Sequence, residues 1–120
     1  EAAARLAARG VAYLHTNEPG DDSPEATAVR QQLRAAFPGP IIVAGGYTRE
    51  RADAVLAAGE ADLVAFGQAF IANPDLPARL LHGWPLNPPD GRTFFGGDPQ
   101  GNAHGYTDYP THAATGEQPA

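Results

Sequence analysis

At 120 residues the chain can form one modest domain, and a hydrophobic content of 42% is enough for a real core. Fourteen acidic residues against eight cations, all of them Arg, leave a net charge of −6, which argues against nucleic-acid binding through a basic face. With no Cys, the chain cannot carry a disulfide framework, a Cys-based zinc site or a thiol nucleophile, and no run approaches the roughly 18 apolar residues of a membrane span.

The first residues, EAAARLAARG, lack a basic segment followed by an apolar run and so do not resemble a signal peptide; a cytoplasmic location is expected. They resemble instead the end of an amphipathic helix with Gly10 just past its C-terminus, as if more chain preceded it. Val11 to His15 reads as a buried strand, followed by a polar loop to Asp22. Ser23 is a good N-cap, Pro24 suits the first helical position and Glu25 suits the positive end of the helix dipole. Ala26, Val29, Leu33 and Ala36 then follow a helical period until Phe37-Pro38-Gly39 stops it.

Pro40 to Ala44 (PIIVA) is apolar throughout, as a strand buried on both faces would be. Gly45-Gly46-Tyr47 makes a turn, and Thr48 caps a helix in which Ala52, Val55 and Leu56 share a face and which Gly59 ends. Ala61 to Phe66 is the third strand, followed by Gly67-Gln68. A short helical turn over 69–72 precedes a helix starting at Asn73-Pro74 and running to about Gly83. From Trp84 onward the chain is rich in Gly, Pro, Asn and aromatics, too aromatic for a plain linker. Tyr47 is expected to pack under it, and 113–120 is expected to be a disordered tail.

Strands alternating with helices predict an α/β fold with parallel βαβ units, leaving open a barrel or a doubly wound sheet. In either, ligands bind at the C-terminal ends of strands, where Gly45, Gly46 and Gly67 fall. Glycine lets a phosphate approach backbone N–H donors, and barrel enzymes build phosphate sites from the loops after strands seven and eight. Glycine also simply turns a βα connection, and on residue type alone both readings stay open. Plainer roles suit the other polar groups: His15 and Asp62 as structural or boundary residues, and His82 at a helix C-terminus. His104, Asp108 and His112 lack metal-ligand spacing, so no metal is expected.

The segments VAYLHTNEP (11–19), AGGYTRERA (44–52), DLVAFGQAFIANPDLPARL (62–80), PLN (85–87), TFFGG (93–97) and GYTDYP (105–110) resemble, in order, the closing part of the Old Yellow Enzyme family. These are FMN-dependent oxidoreductases of the N-ethylmaleimide-reductase type. The stretch from Asp98 to His104 reads as an insertion. The resemblance implies that residues 1–112 are strands 6–8, with their helices, of a TIM (β/α)8 barrel incomplete in this chain. It implies NAD(P)H as reductant and FMN as cofactor, with hydride passing to an electron-poor alkene, a nitro compound or a nitrate ester.

By the same resemblance, Gly45, Gly46 and Gly67 lie at the FMN phosphate. Gln68 stands where the family has a phosphate-pairing Arg; it can donate a hydrogen bond but cannot neutralise charge or form the bidentate fork. Phe94 matches an aromatic at the flavin edge. Phe95 replaces a Tyr over the substrate pocket and brings no hydroxyl. The family's substrate-anchoring, flavin-tuning and proton-donating residues belong to its first five strands, and none maps onto this chain. No catalytic residue is therefore assigned here. The isolated chain is expected to be inactive, with a small-molecule substrate bound only once strands 1–5 are supplied, in one reading by a partner chain. Alternative readings are a non-catalytic half-barrel and an unrelated phosphate-binding module, although such a module would not need the TFFGG and GYTDYP segments.

Overall fold

The computed structural model describes residues 1–20, 23–96 and 103–113. They fall into two compact units, Glu1–Phe66 and Gly67–Ala120.

The first unit carries α1 (Ala2–Ala8), β1 (Leu14–Asn17), α2 (Pro24–Ala36), β2 (Ile41–Ala44), α3 (Arg49–Ala57) and β3 (Leu63–Ala65). The strands form one sheet in the order β1-β2-β3, parallel throughout, with Leu14 opposite Ile41 and Ile42 opposite Leu63. Among the described residues β1 and β3 each pair along one edge only. An open parallel sheet with alternating helices is what part of a (β/α)8 barrel contains.

Local chemistry explains the helix starts. The Ser23 side chain accepts from the Ala26 N–H, with Pro24 behind it, and Thr48 accepts from the Arg51 N–H. Gly10 and Gly59 end α1 and α3 at φ +69° each. The core gathers Ala3, Phe37, Ile41, Val43, Tyr47, Ala52, Val55 and Ala61, with Leu14, Leu33, Ala36, Val64 and Phe66 packed against it.

Several expectations need correction. The first strand begins at Leu14, not Val11; Val11 and Tyr13 are exposed, and β1 alternates instead of being buried throughout. The third strand is confined to Leu63–Ala65, with Leu63 exposed. On α2 the apolar face runs through position 30: Val29 is exposed and Arg30 is buried. Asp62 does more than mark a boundary. Its carboxylate accepts from the Ile41 N–H at 2.8 Å and from Arg34 at 2.6 Å, while its own N–H donates to the Ile41 carbonyl, locking the start of β3 to β2. Those hydrogen bonds, the one from Ile41 foremost, hold the Asp62 carboxyl below its ordinary range.

The second unit contains α4 (Gln68–Ala72), α5 (Leu76–His82) and a 3₁₀ segment over Gly91–Gly96. The N-cap of α5 is Asp75, not Asn73. Asn73 is fully buried and pairs reciprocally with Asn87, accepting from its N–H at 2.7 Å and donating to its carbonyl at 3.2 Å. Arg79, also buried, ties Asp75 to the carbonyls of Pro85 and Pro110, and Asp75 accepts from the His112 N–H. Burial opposes ionisation of Asp75, but the hydrogen bonds from His112 and Arg79 outweigh it and hold its pKa below the ordinary range. The Trp84 ring is stacked between His82 at 4.7 Å and His112 at 4.1 Å. The aromatic tail is thus built onto α5. Most of the insertion-like stretch, and 114–120 of the tail expected to be disordered, lie outside the described residues.

Candidate functional site

The Gly45-Gly46 turn follows directly from the end of β2. Gly45 sits at φ +132° and Gly46 at φ +60°, conformations that L side chains rarely adopt. A Cβ on Gly45 would also run into the carbonyl of Glu18, which itself follows β1. Arg51, in the first turn of α3, donates to the carbonyls of Gly46 at 2.9 Å, Gly20 at 3.3 Å and Gly45 at 3.4 Å, and its guanidinium lies 4.6 Å from the Tyr47 ring centroid.

Beneath this turn lies a buried charged group. Arg30 donates to Glu18 at 2.9 Å, to Glu60 at 2.8 Å and to Thr27, and the Tyr47 hydroxyl donates to Glu18 at 2.9 Å. Burial disfavours the Arg30 charge, but hydrogen bonds to Glu60 and Glu18 more than restore it, so its pKa rises. Beside this group is a cavity of about 370 Å³, lined by residues that include Arg30, Tyr47, Arg51, Val55 and Glu60.

Burial first, then the hydrogen bond to the Glu18 carboxylate, pushes the Tyr47 phenol up to about 12. The fold therefore favours the neutral phenol over the unfolded tyrosine, whose pKa is about 10. Its stabilisation is fully present below pH ~10 and is lost as pH rises from there to about 12. In a spectrophotometric titration, Tyr47→Phe should remove a tyrosinate component near pH 12. An unchanged high-pH component would mean that Tyr47 does not hold its proton against Glu18.

Gly67 and Gln68 open the second unit, and both are exposed. Gly67 has φ −91° and ψ −85°, and a Cβ built on it meets nothing within 4 Å. Phe94 and Phe95 form an edge-to-face pair 6.4 Å apart. Phe95 is 99% exposed and takes φ +59°, uncommon for a non-glycine residue, with its N–H donating to the Tyr106 hydroxyl at 3.1 Å. Thr93 is buried close against Gly105, and the Tyr109 hydroxyl accepts from the Asp90 N–H.

Of the residues expected at a cofactor, Gly45 and Gly46 thus lie in the first unit, and Gly67, Gln68, Phe94 and Phe95 in the second. His104 pairs with Asp108 at 2.6 Å while His112 stacks on Trp84, and no group of three metal-type ligands occurs among the described residues. No described helix is long and apolar enough to cross a membrane. Sequence reasoning missed Glu18, Arg30, Arg51 and Glu60. One signal was available for Arg30: positions 26, 30, 33 and 37 trace a helical stripe, and only position 30 is charged.

The sequence profile of the NADH:flavin oxidoreductase / NADH oxidase family matches residues 2–87. The 12-oxophytodienoate reductase 1 of Oryza sativa subsp. japonica is 53% identical over 78 residues, covering 65% of this chain and 20% of that protein. The 12-oxophytodienoate reductase 2 of Arabidopsis thaliana is 41% identical over 110 residues, covering 88% of this chain and 29% of that protein. Among solved structures, morphinone reductase superposes with a TM-score of 0.80 at 44% identity, over 99% of this chain and 32% of that one. The chain spans less than a third of the length of each of these relatives.

Proposed function

Because this chain belongs to the NADH:flavin oxidoreductase / NADH oxidase family, the Old Yellow Enzyme family, we propose that it is the FMN-phosphate-binding part of an NAD(P)H-dependent ene-reductase. In this reading β1, β2 and β3 are strands 6, 7 and 8 of the barrel, and residues 1–112 form its closing portion. The substrate is a small electron-poor alkene or nitro compound. FMN, when bound, supplies the hydride-transfer chemistry, and the protein binds and orients it.

The observation that carries this reading is Gly67. The fold requires glycine at Gly45 and favours it at Gly46, whose positive φ accounts for it whatever the function. Gly67 has a negative φ and free space where a Cβ would lie, so no contact with a neighbour demands glycine there; at ψ −85° and as the N-cap of α4 it carries only a weaker local preference for glycine. An anion approaching the backbone would demand it. On this reading Gly45, Gly46, Gly67 and Gln68 face the phosphate, Phe94 packs at the flavin edge, and Phe95 faces the substrate pocket. The full exposure of Phe95 leaves its ring available for that role.

A second reading is a half-barrel that is inactive by itself and needs a partner chain carrying strands 1–5. The single-edge pairing of β1 and β3 among the described residues favours it, because an unpaired parallel edge recruits further strands.

Titration with FMN and with riboflavin, which lacks the phosphate, tests the first reading in an assembly that includes strands 1–5. FMN should bind more tightly than riboflavin. Gly67→Ala should lower the melting temperature only slightly, by no more than the loss of a helix N-cap glycine, while weakening FMN binding selectively. Gln68→Arg should tighten FMN binding by about twofold to thirtyfold, the gain from about 1 kcal/mol for a neutral hydrogen bond to roughly 1.5–3 for a charge-assisted one. Equal affinities for FMN and riboflavin in every variant would remove the phosphate site.

A further inference from the structure

We propose that Arg51 is a positioning residue for the glycine turn, holding its carbonyls on one side so that its amides are presented on the other. The proposal rests on the phosphate reading above. All described peptide bonds are trans, so each carbonyl points opposite to the N–H of the following residue. Nη1 of Arg51 takes the carbonyls of Gly45 and Gly46 together. The N–H groups of Gly46 and Tyr47 are therefore both turned away from the guanidinium, as two successive donors facing an anion would be. The same nitrogen reaches the Gly20 carbonyl, in the loop after β1, and so ties that loop to the turn.

The turn needs such a clamp. At φ +132° and +60° the two glycines give up the steric restraint that side chains supply, and an unrestrained Gly-Gly pair samples many peptide orientations. Arg51 is itself fixed from two sides, rooted in the first turn of α3 and lying over the Tyr47 ring. Tyr47 is anchored in turn through its hydroxyl to Glu18 and the buried Arg30. The guanidinium suits this role because it carries several donors in one rigid plane and stays protonated at any working pH.

A positive charge near the turn could also attract phosphate directly, and the two effects separate by salt. Direct attraction between exposed charges is screened at high ionic strength, whereas the loss of a pre-ordered turn is not. The experiment is flavin-fluorescence titration of wild type, Arg51→Ala and Arg51→Lys with FMN and riboflavin, at low salt and at high salt, in an assembly holding strands 1–5. Arg51→Ala should raise the FMN Kd on the order of tenfold at both salt concentrations and leave riboflavin unchanged. Arg51→Lys, which keeps the charge but not the fixed planar placement of Nη1, should fall between. It also serves as the folding control should the Ala variant fail to fold.

Equal FMN affinity in wild type and both variants would overturn the clamp while leaving the phosphate reading intact. A loss that disappears at high salt, or full recovery by Lys, would reassign Arg51 to direct attraction and overturn the clamp. Wild type binding FMN no better than riboflavin would overturn the phosphate reading and this inference with it.

Discussion

Arg30→Ala should destabilise the first unit by about 3–5 kcal/mol, enough to unfold a marginally stable domain. The arginine is 7% exposed and stands between two carboxylates, Glu18 and Glu60, whose side chains are only 10% and 14% exposed. Deleting the guanidinium leaves both carboxylates largely desolvated with their shared cation gone, a larger penalty than a lost surface ion pair, which is worth at most about 1 kcal/mol. It also unties four places in the chain at once: the loop after β1, α2, the residues after α3, and Tyr47 through Glu18. Urea denaturation of the variant checks this. Adding Glu60→Gln should recover part of the loss, because one of the stranded charges is then removed. A change below about 1 kcal/mol would mean that water reaches the carboxylates and solvates them without Arg30.

Gly45→Ala should be the most damaging of the glycine substitutions in the first unit, at about 2–4 kcal/mol from backbone strain and overpacking combined. Two independent costs meet there: a φ of +132°, and a methyl group driven into the Glu18 carbonyl. Backbone on both sides leaves little room to relax, since Glu18 N–H is hydrogen-bonded to the Ala44 carbonyl at 2.8 Å. Gly59→Ala is the control. It shares a positive φ of +69° but has open space around the new methyl, so only the left-handed penalty of roughly 1–2 kcal/mol applies. Thermal melts of the two variants compare them directly, and equal losses would show that the close approach to Glu18 relaxes at no cost.

The order and type of the elements are legible in the sequence, because the signals involved act over a few residues. Ser23 and Thr48 cap the helices that follow them, Gly10 and Gly59 end theirs, and the apolar run of PIIVA forms the central strand. The sequence also marked Gly45, Gly46 and Gly67 as the glycines at strand ends. Which of those glycines the backbone itself requires emerges from packing, not from the residues alone. The requirement at Gly45 comes from a carbonyl that lies 27 residues earlier in the chain, and the lack of any steric neighbour at Gly67 comes from empty space, and neither leaves a local trace. The same holds for the charges. Arg30, Glu60, Asp62 and Arg51 read in the sequence as ordinary polar residues of helices and loops. Each also has a partner 12 to 31 residues away, brought close by parallel strand pairing and the packing of α2 and α3. Long-range pairing of this kind is set by topology, and a one-dimensional period can point to it only where a charged residue interrupts an apolar stripe, as Arg30 does.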